Sequence, residues 1–182
     1  CPRIHAEDRL VDGYVLVEGR RIAAVEPGPV PAELAGVERV DLPDCHLIPG
    51  MIDIHVHGAG GWPVEAADAA GLRALARFLA GFGVTGFLPT ASAYPMEQLE
   101  AVAAHVREAM EEEADGAAIL GLHLEGPFLN PARPGAMNPG NFRAPSVGDA
   151  ARLLAAGGGT VRRVSLAPEL PGARELIRYL AE

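Results

Sequence analysis

Leu47-Ile48-Pro49-Gly50-Met51-Ile52-Asp53-Ile54-His55-Val56-His57-Gly58 is the stretch on which the reading of the fold turns. From Leu47 to Ile52 it is apolar on both faces, the pattern of a parallel strand buried beneath helices rather than of a half-solvated antiparallel one. Beyond Gly58 the chain keeps to helix and strand in alternation. Asp68 is placed to cap a helix whose apolar face is Leu72, Leu75, Ala76 and Leu79, with Gly81 and Gly83 ending it. A strand over Val84–Leu88 comes next, then a helix from Met96 to Glu113 with Leu99, Val102, Ala103 and Val106 facing inward and Glu111-Glu112-Glu113 as its solvated end. The third strand runs from Ala118 to Glu125. A helix over Val147–Ala156, a strand over Val161–Leu166 and a helix from Ala173 complete four βα units of an α/β protein on a parallel sheet.

Upstream the grammar differs. Tyr14–Val17 and Arg21–Val25 flank Glu18-Gly19-Arg20 and read as a hairpin; Pro27, Gly28, Pro29 and Pro31 break the pattern, and Val37–Leu42 reads as one more short strand. Residues 1–46 are therefore expected to be an all-β segment, too small to be stable alone, and residues 47–182 an α/β unit.

The chain has 182 residues, of which 49% are hydrophobic and 21% charged, an ordinary globular composition. A net charge of −9 and a pI near 5.1 point away from nucleic acid and anionic membranes, neither of which attracts an acidic protein, and toward a small polar substrate. Cys1 and Cys45 alone give no disulfide framework, so a reducing compartment is expected. No apolar run approaches the length of a membrane span and no signal peptide is evident, making the cytoplasm the default. Opening on Cys1 rather than Met, with strand-like sequence coming at once, reads as a missing start rather than a processed lipoprotein.

Three residues carry candidate chemistry. In a strand, residues i and i+2 point to one face, which sets the His55 and His57 imidazoles side by side, about 7 Å apart along the backbone and able to close on one ion. Glu125, ending the third strand, offers the oxygen ligand that hydrolytic divalent-metal centres commonly contain. Both histidines precede Gly58-Ala59-Gly60-Gly61, at a strand's C-terminal end. His123 shares the face of Glu125 and reads as a satisfied core histidine or an outer partner of the ligands. Asp53 shares the face of His55 and His57 and is placed to fix an imidazole tautomer. His5, His46 and His105 show no constellation, His105 lying on an exposed helix face. The Gly- and Pro-rich stretch from Pro127 to Pro145 is too long for an ordinary βα connection and starts beside the proposed ligand, which marks it as a functional loop.

Leu47–Gly58 resembles the first barrel strand of the amidohydrolase superfamily, and Gly121-Leu122-His123-Leu124-Glu125-Gly126-Pro127-Phe128-Leu129-Asn130 resembles the third-strand signature of the N-acetylglucosamine-6-phosphate deacetylases. Gly83–Thr90 and Ser165–Glu169 are similar to that family's second and fourth strands, in the expected order. The resemblance implies the first four units of a (β/α)8 TIM barrel, preceded by a β-segment that belongs to a small β-sandwich. It implies a metal site with Glu125, His55 and His57 as ligands, one or two divalent ions, zinc first with iron or manganese as alternatives, and hydrolysis of the N-acetyl amide of a phosphorylated amino sugar by a homo-oligomer. The family takes its proton-shuttling Asp from the eighth strand and two further histidine ligands from strands five and six. No catalytic residue is thus expected in this chain, and the 182 residues alone are expected to be inactive; the general base is expected beyond Glu182. Gly135, Ala136, Met137 and Asn138 fall where the family contacts the sugar, and Met137 stands where the family usually has a histidine. Met cannot donate or accept comparably, which bears on the sugar preferred, with Asn138 and Asn141 as partial substitutes. Other readings are an amidohydrolase of a cyclic amide or another N-acyl sugar, and a non-catalytic metal-binding or oligomerisation module.

Overall fold

The computed structural model describes residues 1, 3–7, 9–112 and 115–182, in two compact units, Cys1–Pro49 and Gly50–Glu182. In the first unit β1 (Ile4–Ala6) and β2 (Arg9–Val11) form a short antiparallel pair, and β3 (Gly13–Glu18) and β4 (Arg21–Pro27) form the expected hairpin. Gly13 lies so close to the Glu26 carbonyl that a Cβ has no room there. The end of this unit returns to β1 through a parallel bridge between Ile4 and Leu47, with the His5 amide donating to the Leu47 carbonyl at 2.8 Å and the Leu47 amide to the Arg3 carbonyl at 2.9 Å. Ile4 and Val11 are its buried apolar side chains among the described residues, a core too slight to hold a unit together by burial. The strand expected over Val37–Leu42 does not form. Its alternation supplies β propensity, but among the described residues no partner ladder takes it up, and Val40 is left 74% exposed.

In the second unit β5 (Met51–Val56), a small β6–β7 hairpin (Gly58–Ala59, Trp62–Pro63), α1 (Ala69–Ala80), β8 (Val84–Ala91), α2 (Met96–Glu111), β9 (Ala118–Ile119), β10 (Leu122–Glu125), α3 (Val147–Gly157), β11 (Val161–Ser165) and α4 (Ala173–Ala181) succeed one another. The sheet runs β11-β10-β8-β5, all parallel, with β9 added to β8. Asp68 caps α1 by accepting from the Gly71 amide at 2.8 Å, and Ser146 caps α3 in the same manner through Asp149. Leu72, Leu75, Ala76 and Leu79 of α1 and Leu99, Val102, Ala103 and Val106 of α2 all face one core with Phe87, Leu122, Leu124 and Leu153, as the 3.6-residue spacing requires. At the end of α2, Glu112 pairs with Arg73; Glu113 lies outside the described residues.

Two expectations for the strands need correction. The third is broken: Gly121, at φ +136°, separates β9 from β10, and a Cβ there would run into the Thr160 carbonyl. The chain thereby leaves the side of Phe87 and joins β11, the Leu122 amide donating to Thr160. Nor is the first strand buried on both faces. Among the described residues β5 is an outer strand of the sheet, paired with β8 alone, and Met51, Ile52 and Ile54 are exposed, Ile52 to 63%. Among the described residues no helix is long and apolar enough to cross a membrane.

Candidate metal centre

The parallel register sets the C-terminal ends of three strands level. Val56 of β5 lies beside Pro89 of β8, and Thr90 of β8 beside His123 of β10. His55 and His57 thus face Glu125 across β8, over two strand spacings of about 4.8 Å each, a gap their side chains close. The Nε2 atoms of His55 and His57 are 3.0 Å apart, and Glu125 Oε2 lies 3.4 Å from the first and 3.2 Å from the second. Two imidazole nitrogens and a carboxylate oxygen so arranged form the cluster of metal-ligating groups in the described residues. A tetrahedral ion with bonds of about 2.0–2.1 Å needs ligand atoms roughly 3.3 Å from one another; the three separations lie close to that value. Borderline nitrogen donors with one carboxylate suit zinc and its first-row neighbours. The residues present fit a divalent ion.

The surroundings hold these ligands in a receptive state. His57 Nδ1 sits 3.0 Å from the Thr90 carbonyl and 3.3 Å from Ser92 Oγ. Donation of Nδ1–H to a backbone oxygen fixes the tautomer and leaves the Nε2 lone pair for an ion. The sequence assigns that role to Asp53, which instead accepts from the His55 backbone amide at 3.0 Å: its short side chain reaches the amide two residues on before it reaches a ring. The Thr90 carbonyl is invisible in the sequence because any residue would supply it; only the strand pairing reveals it.

His123 is wholly buried beneath the cluster, its ring edge-on to His55 with centroids 4.9 Å apart. Nε2 lies 2.9 Å from Ser165 Oγ and Nδ1 3.3 Å from Thr90 Oγ1. Burial, and then the nearby charge of Arg163 and the rings of His55 and His57, push its pKa down to about 4, against a smaller opposing pull from the Ile54 carbonyl. It is a neutral polar brace between β8 and β11.

His105 is not on an open helix face: it is half-buried and bonds through Nδ1 to the Ala67 carbonyl at 3.2 Å. His5 and His46, without a constellation in the sequence, lie side by side in the first unit.

The loop after Glu125 is ordered by its own contacts. Phe128 is buried, Asn130 donates to Glu169 at 2.9 Å and thereby holds that carboxyl below the usual range, and the Arg143 amide donates to the Pro127 carbonyl. Gly135, Ala136 and Asn138 are exposed and Met137 half-buried; none of the four hydrogen-bonds to His55, His57 or Glu125. Asn138 Oδ1 caps the short 3₁₀ turn Pro139–Asn141 through the Gly140 amide, and Asn141 Nδ2 donates to the Ala93 carbonyl. Asn138 thus commits half of its amide to the loop itself, and Asn141 half of its amide to the segment after β8.

A parallel sheet alternating with helices, with imidazole and carboxylate donors gathered at its C-terminal edge, is the arrangement of a metal-dependent hydrolase, and the chain belongs to the amidohydrolase family, whose model matches residues 46–180. Within that family it is similar to sugar-phosphate deacetylases. It is 36% identical over 143 residues to the N-acetylglucosamine-6-phosphate deacetylase of Vibrio furnissii, covering 79% of this chain and 36% of that one. It is 34% identical over 183 residues to the N-acetylgalactosamine-6-phosphate deacetylase of Escherichia coli O157:H7, covering 99% and 46%. The crystal structure of N-acetyl-D-glucosamine-6-phosphate deacetylase from Mycobacterium smegmatis superposes with a TM-score of 0.81 at 30% identity, over 98% of this chain and 45% of that one. A mutant of that enzyme in complex with N-acetyl-D-glucosamine-6-phosphate gives 0.80 at 31% identity. The chain spans less than half the length of these relatives.

Proposed function

We propose that this chain is the part of a metal-dependent N-acetylglucosamine-6-phosphate deacetylase that carries His55, His57 and Glu125 as metal ligands, releasing acetate and glucosamine-6-phosphate. The observation that carries the proposal is the closure of those three donor atoms to 3.0–3.4 Å at the ends of strands brought together by the fold. On this reading residues 47–182 are four βα units of a (β/α)8 barrel, and residues 1–46 are part of a small β-sandwich. The exposed apolar side chains of β5 meet further strands and helices of the complete barrel. The enzyme is cytoplasmic and homo-oligomeric, and zinc is the first candidate among ions.

When bound, a divalent ion supplies Lewis acidity at the acetyl carbonyl and a water of lowered pKa. His55 and His57 hold it through Nε2 and Glu125 through Oε2, while the Thr90 carbonyl keeps His57 in the ligating tautomer. His123, neutral at physiological pH, adds no repelling charge beneath the ion. Gly135, Ala136, Met137 and Asn138 contact the sugar. Transfer of the proton to the leaving amine is assigned to an aspartate outside these residues.

A second reading, that N-acetylgalactosamine-6-phosphate is the better substrate, is favoured by the similarity to a deacetylase of that sugar along 99% of this chain, and Met137, which cannot reproduce the polar contact of a histidine, removes one contact from the first. Acetate release by the full-length enzyme from both sugar phosphates, with added zinc, manganese or iron, decides between them. Release from neither, with metal still bound, would leave a non-catalytic metal-binding module.

A further inference from the structure

We infer that His5 and His46 form a second, surface metal site in the first unit, suited to a divalent ion that favours imidazole nitrogen, nickel(II) or copper(II). The inference is independent of the deacetylase reading. His5 lies on β1 and His46 just before the bridging residue Leu47. The reciprocal bonds of the His5 and Leu47 amides fix the two backbones alongside each other, leaving only ring rotations free. Both side chains are exposed, their ring centroids are 5.1 Å apart, and His5 Nε2 lies 2.8 Å from His46 Nδ1. Nitrogens at right angles around an ion with bonds of about 2.0–2.1 Å are about 2.9 Å apart, whereas a tetrahedral ion spreads them to about 3.3 Å. The 2.8 Å separation is the length of the hydrogen bond between the rings and lies near the right-angle value, so both nitrogens reach one ion with little movement, and imidazole suits nickel(II) and copper(II). Open solvent on the exposed side supplies the remaining ligands as water.

Arg3 tunes the site. Its Nη1 lies 3.4 Å from His46 Nε2, and a guanidinium only donates, so in this arrangement His46 carries its proton on Nδ1 and gives it to His5 Nε2. Ion binding through His5 Nε2 and His46 Nδ1 needs the other tautomer of His46, with the proton on Nε2 facing Arg3. The ring exchanges one proton between its two nitrogens through solvent, with no net release, and loses the Arg3 contact. Replacing Arg3 by a carboxylate gives Nε2–H an acceptor and should favour the ligating tautomer, the role that outer-sphere carboxylates play for metal-bound histidines.

Nickel(II) titration tests this, an ion that does not oxidise the Cys1 and Cys45 thiols. The chain should bind two equivalents, one lost in Glu125→Ala and the other lost in His46→Gln or His5→Gln, while Arg3→Glu should tighten the second by at least about tenfold. His46 and His5 are exposed, so their substitution leaves the core intact and the singly substituted chains suffice should Glu125→Ala not fold. Full nickel stoichiometry in His46→Gln, or a second equivalent indifferent to Arg3→Glu, would overturn the inference.

Discussion

Acid should weaken this protein through one buried ring. His123 is inaccessible to solvent, and burial and the Arg163 charge lower its pKa from 6.5 to about 4 in the folded state, while the unfolded chain takes up the proton near 6.5. Between those values the unfolded state binds the extra proton, so stability rises with pH there; it is fully present above 6.5 and is lost as pH falls toward 4. At about 1.36 kcal/mol per pH unit the interval corresponds to at most about 3 kcal/mol, and about 2 is expected because Ser165 and Thr90 offer polar partners to a charged ring. Urea denaturation at pH 7.5, 6, 5 and 4, with chelator present to keep the neighbouring ligands metal-free, measures it against His123→Gln, which keeps a polar side chain but cannot titrate. The wild type should lose about 2 kcal/mol more than the variant between pH 7.5 and 4. Parallel curves would show that His123 titrates normally in the folded protein and that its burial has been misread.

Restoring a histidine at Met137 should raise kcat/KM of the full-length enzyme for N-acetylglucosamine-6-phosphate about tenfold, the scale of one regained polar contact of about 1–3 kcal/mol; no change would mean that the loop recognises something else. Leu72→Ala, in the middle of the α1 core face, should cost about 2–5 kcal/mol in urea unfolding at pH 7.5, and a loss below 1 kcal/mol would show that this face is not packed as described.

How much of the molecule is legible in its sequence depends on how local each signal is. Helical spacing and the Asp68 cap depend on neighbours three or four residues away, and the second unit's helices sit where the pattern puts them. The His55 and His57 pair, two residues apart on one strand, is legible for the same reason. Val37–Leu42 has strand propensity, but a strand needs a partner, and none runs beside it among the described residues. Ile52 is exposed because, among the described residues, β5 has a neighbour on one side alone, whereas its composition is that of a strand with neighbours on both. The Thr90 carbonyl at His57 and the meeting of His5 with His46 depend on contacts between segments more than thirty residues apart, which periodicity does not report. Met137 is visible only as a departure from a family pattern.

The central claim, that His55, His57 and Glu125 hold a divalent ion, is tested most directly by equilibrium dialysis against zinc, with His46→Gln in both proteins so that the surface pair contributes nothing. The chain with Glu125 intact should bind one zinc at this site, and Glu125→Ala should bind it at least about a hundredfold more weakly, since losing a ligand exceeds the 10–100-fold cost of losing an outer partner. Thermal unfolding in chelator should be closely similar for the two. Equal zinc affinity with and without the Glu125 carboxylate would contradict the assignment, and with it the reading of these three strand ends as a metal centre.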